Sequence, residues 1–489
     1  MRQYTGVVTT GIYCRPGCSG QPLERNTRPY ASAAAAEAAG FRPCLRCRPD
    51  REPVNGWIDA PELVCRALRA IADGALDGAT EDELAARLGV SARHLRRMFE
   101  THVGATPAEV ARSRRAHFAR RMLDDTDLPF TKVSAAAGFN SVRQFNRVMK
   151  DVFRFTPHEL RARRRAPGRV VADGGLDLRM PYCPPLAWTS LLAFLAPRAI
   201  PGVEAVDLAH GTYRRVVELA GAPGVVEAWD EPDQHALRLR VHLPAFDGLV
   251  HLLASIRRQF DLDADPTEID AVLARDRTLR PLVRARRGVR VPGAVDPFEV
   301  AVRAVLGQQV SVAGATTLAG RLVERFGTPV PGLAPLGLTH QFPVPETLAG
   351  ADLAAVGITK ARARALDALA TAVATGDLEL DRARGLDETL AELQALPGFG
   401  PWTANYVAMR ACDERDAFPA SDLGLRRALG DDPVARAEAW RPWRAYGAMQ
   451  VWLGPPVRSV TNGSSAAEQS PKIDTLTGAF PLVRGVIPA

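Results

Sequence analysis

The sequence predicts a multidomain protein that is mainly α-helical and has α+β parts. Its 489 residues are enough for about three domains. Four of its seven cysteines lie within the first 47 residues, and helical periodicity, part of it duplicated, dominates the rest. The composition, 46% hydrophobic and 24% charged, is typical of a soluble globular protein. No run of about 18 apolar residues and no apolar signal region occur, so we expect a cytoplasmic protein without a membrane span.

Basic residues are concentrated in the front section of the chain. Residues 1–170 contain 29 Lys and Arg against 18 Asp and Glu, a balance of +11. Residues 171–489 contain 33 against 37, a balance of −4. A basic front section predicts a polyanionic partner, DNA or RNA before membrane. Charge alone leaves open a solvated, arginine-rich surface.

Four cysteines near the N-terminus have the spacing of a metal site. Three residues separate Cys14 from Cys18, two separate Cys44 from Cys47, and 25 lie between the pairs. Each pair can chelate one face of a tetrahedral ion, and clustered thiolates favour zinc. The pattern predicts one Zn²⁺ on four cysteines. Spacing alone leaves open a metal that only stabilises this domain.

The residues around these cysteines are more specific. Thr9–Cys18 and Ala39–Asp50 resemble the N-terminal domain of the Ada family, the bacterial methylation-response activators. The resemblance covers residues 6–50 and implies a small zinc-bound α/β domain over 1–52. It also implies that Cys14 is the methyl-accepting thiolate. The zinc ligands that it implies are Cys14, Cys18, Cys44 and Cys47.

Methylation of such a site would change its charge. Four thiolates on one Zn²⁺ carry a net charge of −2, and a thioether at Cys14 removes one negative charge. Repulsion from DNA phosphates falls, so we expect tighter DNA binding after methylation. Relatives carry a further helix and strand before the motif, whereas eight residues precede Thr9 here. We therefore expect either that the true start lies upstream or that this zinc domain is incomplete at its N-terminus.

Residues 58–165 contain an internal repeat. The pattern Ser91-x3-Leu-x-Arg97 recurs as Ser141-x3-Phe-x-Arg147, at an offset of 50 residues. Each copy predicts a helix, a tight turn and a second helix that begins at the serine. Basic and amide side chains early in that second helix suit the major groove. The candidate DNA-reading residues are Arg93, His94, Arg97, Arg143, Gln144 and Arg147.

The second copy narrows the assignment. Gly138–Phe145, followed by Thr156-Pro157, resembles the AraC-type DNA-binding domain. The resemblance implies two recognition helices that enter successive major-groove turns. The apolar residues on these helices are expected to be core: Leu95, Phe99, Phe145 and Phe153.

The last segment predicts an α+β fold. Polar and apolar residues alternate within 176–243, which favours an antiparallel sheet, and helical periodicity follows from Leu249. A helix over Asp387–Ala395 precedes the string Leu-Pro-Gly-Phe-Gly-Pro-Trp-Thr-Ala-Asn-Tyr at 396–406. A glycine turn that opens a helix presents backbone N–H groups to a phosphate, although a plain helix–helix turn is the alternative. The phosphate-binding candidates are Gly398, Gly400 and Thr403.

That string resembles the helix–hairpin–helix DNA glycosylases, and Pro419–Asp422 completes the signature. Val300–Gln309 and Trp440–Tyr446 narrow the resemblance to AlkA-type 3-methyladenine glycosylases, over about 176–455. It implies a sheet-containing subdomain at 176–285 and a hairpin domain at 286–457.

The resemblance assigns roles in base excision. Asp422 would stabilise oxocarbenium charge and direct water onto the anomeric carbon. A helix N-cap before Leu423–Leu429 is the alternative role of this aspartate. The implied base pocket is Trp402, Tyr406 and Trp452, and the implied duplex wedge is Gln308 and Gln309. Trp440 and Trp443 are expected to be core.

Departures and absences refine the reaction. AlkA itself has leucine at the wedge and tyrosine after the aspartate, where this chain has Gln309 and Leu423. Bifunctional relatives carry a Schiff-base lysine where this chain has Trp402, so we expect a monofunctional enzyme without strand cleavage. No iron–sulfur cysteine pattern is present, and neither that cluster nor a nucleotide cofactor is expected. Residues 458–489 are expected to form a disordered tail.

The leading hypothesis is an adaptive-response transcription activator fused to an alkyl-purine glycosylase. It implies double-stranded DNA and RNA polymerase as partners, a monomer, and a bacterial, nucleoid-associated location. A DNA-binding regulator without glycosylase activity is the alternative. A glycosylase whose front half only tethers it to DNA also stays open.

Overall fold

The computed structural model describes residues 3–20, 22–51, 60–163 and 175–454. The first domain along the chain is a small α/β domain. Its four-stranded sheet has the order β3-β1-β2-β4, in which β2 and β4 are parallel. Tyr13, Ala36 and Phe41 form its core. The elements are β1 (Tyr4–Val7), β2 (Ile12–Cys14), β3 (Thr27–Tyr30), α1 (Ala33–Ala38) and β4 (Arg42–Pro43).

The duplicated unit is confirmed as two helix-turn-helix pairs, α3/α4 and α6/α7, joined by the long helix α5. The hydroxyls of Ser91 and Ser141 cap α4 and α7, as the repeat predicts. Gly89 and Gly138 occupy the turns at φ +71° and +73°, a conformation that favours glycine. The helices are α2 (Glu62–Ala72), α3 (Glu81–Arg87), α4 (Ala92–His102), α5 (Pro107–Asp125), α6 (Phe130–Ala136), α7 (Val142–Phe153) and α8 (Pro157–Ala162).

The predicted antiparallel sheet is also confirmed. Its strand order is β5-β9-β8-β7-β6, so the first strand pairs with the last. A mostly apolar helix, α9, interrupts the alternating pattern and packs its buried side against the sheet's core. The elements are β5 (Leu176–Pro181), α9 (Trp188–Leu195), β6 (Glu204–Asp207), β7 (Thr212–Leu219), β8 (Ala222–Glu231) and β9 (Ala236–His242).

Helices form the remainder, with one short β-hairpin. Helices α13, α14, α16 and α18 share one apolar core, whereas α10 to α12 and α19 to α21 join the core beneath the sheet. The elements are α10 (Leu249–Gln259), α11 (Pro266–Leu273), α12 (Leu279–Ala285), α13 (Pro297–Leu306), α14 (Val312–Phe326), β10 (Thr328–Pro329), β11 (His340–Gln341), α15 (Pro345–Leu348), α16 (Lys360–Thr375), α17 (Leu386–Ala395), α18 (Pro401–Arg410), α19 (Leu423–Leu429), α20 (Pro433–Ala437) and α21 (Arg444–Leu453).

The domains contact one another through buried and half-buried polar groups. Glu37 in the first domain accepts from Tyr13 Oη at 2.7 Å and lies 2.6 Å from His117 Nε2 of α5. Asp73, at the end of α2, accepts from Arg258 Nη1 at 2.7 Å and from Arg382 Nε and Nη2 at 2.9 Å. We refer to Asp73, Arg258 and Arg382 as the interdomain latch.

Within the described ranges, no helix combines the length and apolar character needed to cross a membrane. The expected disordered tail at 458–489 lies outside the described residues.

Candidate active site and metal centre

Asp422 lies at the N-terminus of α19, in contact with two tryptophans. Its Oδ1 accepts from Trp452 Nε1 at 3.0 Å and from the backbone N–H of Leu425 at 3.1 Å. Its Oδ2 accepts from Trp402 Nε1 at 3.2 Å. The carboxylate is half-buried and caps its helix, so Asp422 fulfils the N-cap alternative while it faces the indoles.

The three predicted pocket aromatics form one cluster around this carboxylate. Trp402 and Tyr406, one turn apart on α18, stack with centroids 5.2 Å apart and 15° between planes. Tyr406 and Trp452 are tilted at 6.2 Å. A ring inserted between two others needs about 7 Å between their planes. A purine therefore fits an outer face of the Trp402–Tyr406 stack and does not fit between these rings.

A positive group that the sequence reasoning missed lies behind the aromatics. Arg410 donates to Tyr406 Oη at 2.8 Å and lies 5.2 Å from the Phe194 ring centroid. Arg198 lies 3.8 Å from the same centroid, and Phe194 in turn stacks on Trp452. Burial alone would raise the pKa of Tyr406, but the nearby guanidiniums of Arg410 and Arg198 lower it below its ordinary value.

The sequence carries a signal for Arg410 but none for Phe194. Arg410 follows Tyr406 at i+4 on the same helix, so periodicity could have placed it beside the cluster. Phe194 belongs to α9 of the sheet-containing subdomain, and no local pattern connects it with Asp422.

The glycine turn between α17 and α18 has the geometry of a phosphate site. Gly398 adopts φ +79°, and a Cβ there would lie 3.0 Å from Ala365 Cβ. Gly400 precedes α18 with open space where a Cβ would be. The side chain of Thr403 is buried, so of its donors only the backbone N–H, in the first turn of α18, is suited to a phosphate.

The two predicted wedge residues differ in environment. Gln308 is half-buried, and its Nε2 donates to the Gly398 carbonyl at 2.9 Å and to Thr403 Oγ1 at 3.0 Å. Gln309 is exposed and adopts φ +54°. The structure thus directs one of the two amides toward the hairpin and leaves the other at the surface.

The four predicted ligand sulfurs lie together. The Sγ atoms of Cys14, Cys18, Cys44 and Cys47 are all within 4.8 Å of one another. A tetrahedral zinc site, with Zn–S bonds of about 2.3 Å, needs sulfurs about 3.8 Å apart. The hydrogen bond to Cys47, together with burial, raises the pKa of Cys14, and the same contact lowers that of Cys47. The donor set therefore fits a single Zn²⁺, whose charge removes this competition for protons.

Side chains on α4 and α7 are available to DNA to different degrees. Arg93, Arg97, Arg143 and Arg147 are exposed. His94 Nδ1 lies 3.0 Å from Arg97 Nη2. The Oε1 atom of Gln144 accepts from the backbone N–H of residue 140 at 3.1 Å, and its amide N–H₂ is not part of that bond.

Comparison with known families covers most of the chain. Four family models match: the metal binding domain of Ada at 2–50, a helix-turn-helix domain at 84–163, the AlkA N-terminal domain at 177–296, and the HhH-GPD superfamily of base excision DNA repair proteins at 302–438. The order of the matches follows the order of the observed domains.

Individual relatives match the whole chain or one part of it. A probable bifunctional transcriptional activator/DNA repair enzyme AlkA of Mycobacterium tuberculosis is 43% identical over 91% of this chain and 91% of its own. DNA-3-methyladenine glycosylase 2 of Escherichia coli is 36% identical over 55% of this chain and 94% of its own. The bifunctional transcriptional activator/DNA repair enzyme Ada of E. coli is 32% identical over 32% of this chain and 43% of its own.

Proposed function

This chain belongs to the family of bifunctional transcriptional activator/DNA repair enzymes of the AlkA type, and we propose that it acts at two kinds of methyl damage. The N-terminal domain takes a methyl group from DNA methylphosphotriesters, and the C-terminal domain excises alkylated purines of the 3-methyladenine class. The observation that supports excision most strongly is Asp422 held by two indoles beside an aromatic cluster, close to the glycine turn that precedes α18.

In the excision reaction, the chain supplies charge and stacking surfaces. A purine alkylated at N3 or N7 is cationic and leaves readily, so an electron-rich outer face of the Trp402–Tyr406 stack, beside Trp452, suffices to bind it. As the glycosidic bond breaks, the Asp422 carboxylate stabilises the oxocarbenium charge and orients the attacking water. Gly398, Gly400 and the N–H of Thr403 hold a backbone phosphate.

The kind of product depends on whether the site offers an amine nucleophile. A strand-cleaving glycosylase needs an amine to form a Schiff base with the sugar, and Trp402 occupies the position of that lysine. Residues 386–454 contain no lysine. We therefore infer a monofunctional glycosylase that leaves an abasic site.

In the methyl transfer, Cys14 is the nucleophile. Zinc bound by the four cysteines would keep their sulfurs deprotonated and electron-rich at neutral pH. The Cys14 sulfur attacks the methyl carbon of a phosphotriester; the S–C bond forms, the C–O bond breaks, and the phosphodiester leaves as an anion. The thioether carries one negative charge less, which favours approach to DNA.

The helix-turn-helix pairs read DNA with Arg93, His94, Arg97, Arg143, Gln144 and Arg147. Exposure of the four arginines supports this role. We further infer that the protein acts as a monomer in the nucleoid and recruits RNA polymerase when Cys14 is methylated. Two alternatives are a regulator without excision and a glycosylase that its front half only tethers to DNA. An excision assay distinguishes the first from the proposed function, and methyl-dependent promoter binding distinguishes the second.

The excision half is tested with Asp422→Asn. Asparagine still caps α19 but carries no charge, so folding is expected to be retained. Loss of the charge is expected to cost about 3 to 4 kcal/mol, or 10²- to 10³-fold in the single-turnover release of 3-methyladenine from methylated duplex DNA. Asp432→Asn, the same change at the exposed N-cap of α20, is the control. Wild-type protein that releases no alkylated base would leave only the regulator.

The sensing half is tested by intact-mass analysis after exposure to methylphosphotriester DNA. One added methyl that maps to Cys14, with zinc retained, is expected, followed by tighter binding to the promoter of its own gene. Cys65→Ala, a buried cysteine outside the cluster, should still accept the methyl. Transfer that persists in Cys14→Ala would refute the acceptor assignment, and promoter affinity unchanged by methylation would favour the tether.

A further inference from the structure

The loop after α13 and the hairpin between α17 and α18 are tied together by hydrogen bonds. We propose that Gln308 and Arg362 are positioning residues that hold this loop so that Gln309 alone fills the space left by the extruded base. The proposal rests on the excision function above and deepens it, because it separates base extrusion from bond cleavage.

The contacts of Gln308 are incompatible with insertion into DNA. Both hydrogen bonds of its Nε2, to the Gly398 carbonyl and to Thr403 Oγ1, connect it to the phosphate-binding hairpin. To enter the duplex, this side chain would abandon the buried hydroxyl of Thr403 and the carbonyl of the turn. A buried hydroxyl that loses its partner is costly, so the amide is retained where it lies.

The side chain of Arg362 holds the backbone of the same loop. This residue lies in the first turn of α16, and its Nη2 donates to the carbonyl oxygen of Gln308. The same helix packs Ala365 beneath Gly398. Loop, hairpin and α16 therefore meet at one point, and a shift of any of them would move the other two.

Gln309 is the residue that this arrangement presents. Its side chain is exposed, and its backbone φ of +54° is rare for residues other than glycine, asparagine, aspartate and histidine. Such a conformation persists only where the surroundings enforce it. The hydrogen bonds of the Gln308 side chain and of the Gln308 carbonyl oxygen, directly before Gln309, provide that constraint. Pre-ordering the loop removes an entropy cost that would otherwise fall on base extrusion.

The test measures insertion without chemistry. The DNA is a duplex in which 2-aminopurine lies beside a tetrahydrofuran abasic analogue. The fluorescence of 2-aminopurine rises when the wedge residue unstacks it. The full-length variants are Gln308→Met, Arg362→Met, Arg362→Lys, Gln309→Ala and the double variant Gln308→Met/Gln309→Ala. Gln394→Met is the matched control, because Gln394 is exposed on α17 and its amide bonds only within that helix.

Gln308→Met, Arg362→Met and Gln309→Ala are each expected to lower the fluorescence amplitude and the single-turnover excision rate about tenfold. Arg362→Lys should recover most of both, and Gln394→Met should resemble wild type. The double variant should be no worse than Gln309→Ala, because Gln308 acts through Gln309.

Two results would overturn the proposal. Losses that multiply in the double variant would make Gln308 a second wedge, and an unchanged amplitude in Gln308→Met would make its contacts merely structural. Wild-type protein that raises the fluorescence but releases no base would refute the excision function and leave the wedge assignment standing.

Discussion

Trp402 and Trp452 each combine a stacking face with an indole N–H that is directed at Asp422. Trp452→Phe keeps a ring but removes the 3.0 Å donor to Oδ1. A hydrogen bond to a charged group in a partly exposed site contributes about 1.5 kcal/mol, so kcat for 3-methyladenine release should fall about tenfold. Binding to DNA with a tetrahydrofuran site should change little. A variant with normal kcat would show that the indole does not orient the carboxylate.

Single residues were predictable where a local motif defines them. Asp422 and the four zinc-site cysteines stand in strings that can be read along the chain. The contribution of Phe194 depends on the packing of α9 against α21, which is a tertiary contact without a local signature. The division of labour between Gln308 and Gln309 also depends on the fold, because adjacent amides in a sequence are chemically identical.

At the scale of elements, the hairpin offers a matched pair of glycines. Gly398→Ala places a side chain at φ +79° and against Ala365, which should lower the free energy of unfolding by about 1 to 2 kcal/mol. Gly400→Ala meets no neighbour and should change stability by less than about 1 kcal/mol. Its methyl group would face the phosphate, so DNA affinity should fall about tenfold.

Chemical denaturation and fluorescence anisotropy with an abasic duplex distinguish the two effects. Equal losses of stability in both variants would argue against a special conformation at Gly398. Normal DNA binding by Gly400→Ala would argue against a phosphate at this turn.

Elements with periodic patterns and caps were predicted well. Ser91 and Ser141 begin helices because each hydroxyl satisfies an otherwise free N–H, and this requirement is visible in the sequence. Helix α9 was not predicted, since its mostly apolar residues carry little amphipathic signal inside a segment of alternating strands.

At the scale of the whole molecule, the interdomain latch joins the DNA-reading half to the glycosylase. Asp73→Ala leaves two guanidiniums without their shared acceptor and should cost about 2 to 3 kcal/mol of docking free energy. In calorimetry, wild type should unfold the two halves together and the variant in two steps. Asp233→Ala, at an exposed turn, is the control. Coincident unfolding in the variant would show that other contacts between the halves, such as the Arg87–Asp381 ion pair, hold them together.

The latch should also depend on pH. Burial alone would raise the pKa of Asp73, but Arg382 and Arg258 lower it below its ordinary value. A carboxylate with a depressed folded-state pKa stabilises the docked form above its unfolded pKa of about 4, and this contribution is lost as pH falls further. The wild-type advantage over Asp73→Ala should therefore shrink below about pH 4. An advantage independent of pH would exclude the ion pairs as its source.

Domain order and fold class followed from the sequence, whereas the docking of domains did not. Asp73 and Arg382 are 309 positions apart, and each is an ordinary charged residue in its own segment. Only the folded chain shows that they meet.

The presence of both halves in one chain also fixes the ratio of the two activities. In the proposed scheme a sulfur records one alkylation event and is then spent, whereas the enzyme half turns over. Since both travel on one polypeptide, every exhausted sensor remains physically joined to a working excision enzyme. Repair capacity therefore does not decline as the record of exposure accumulates.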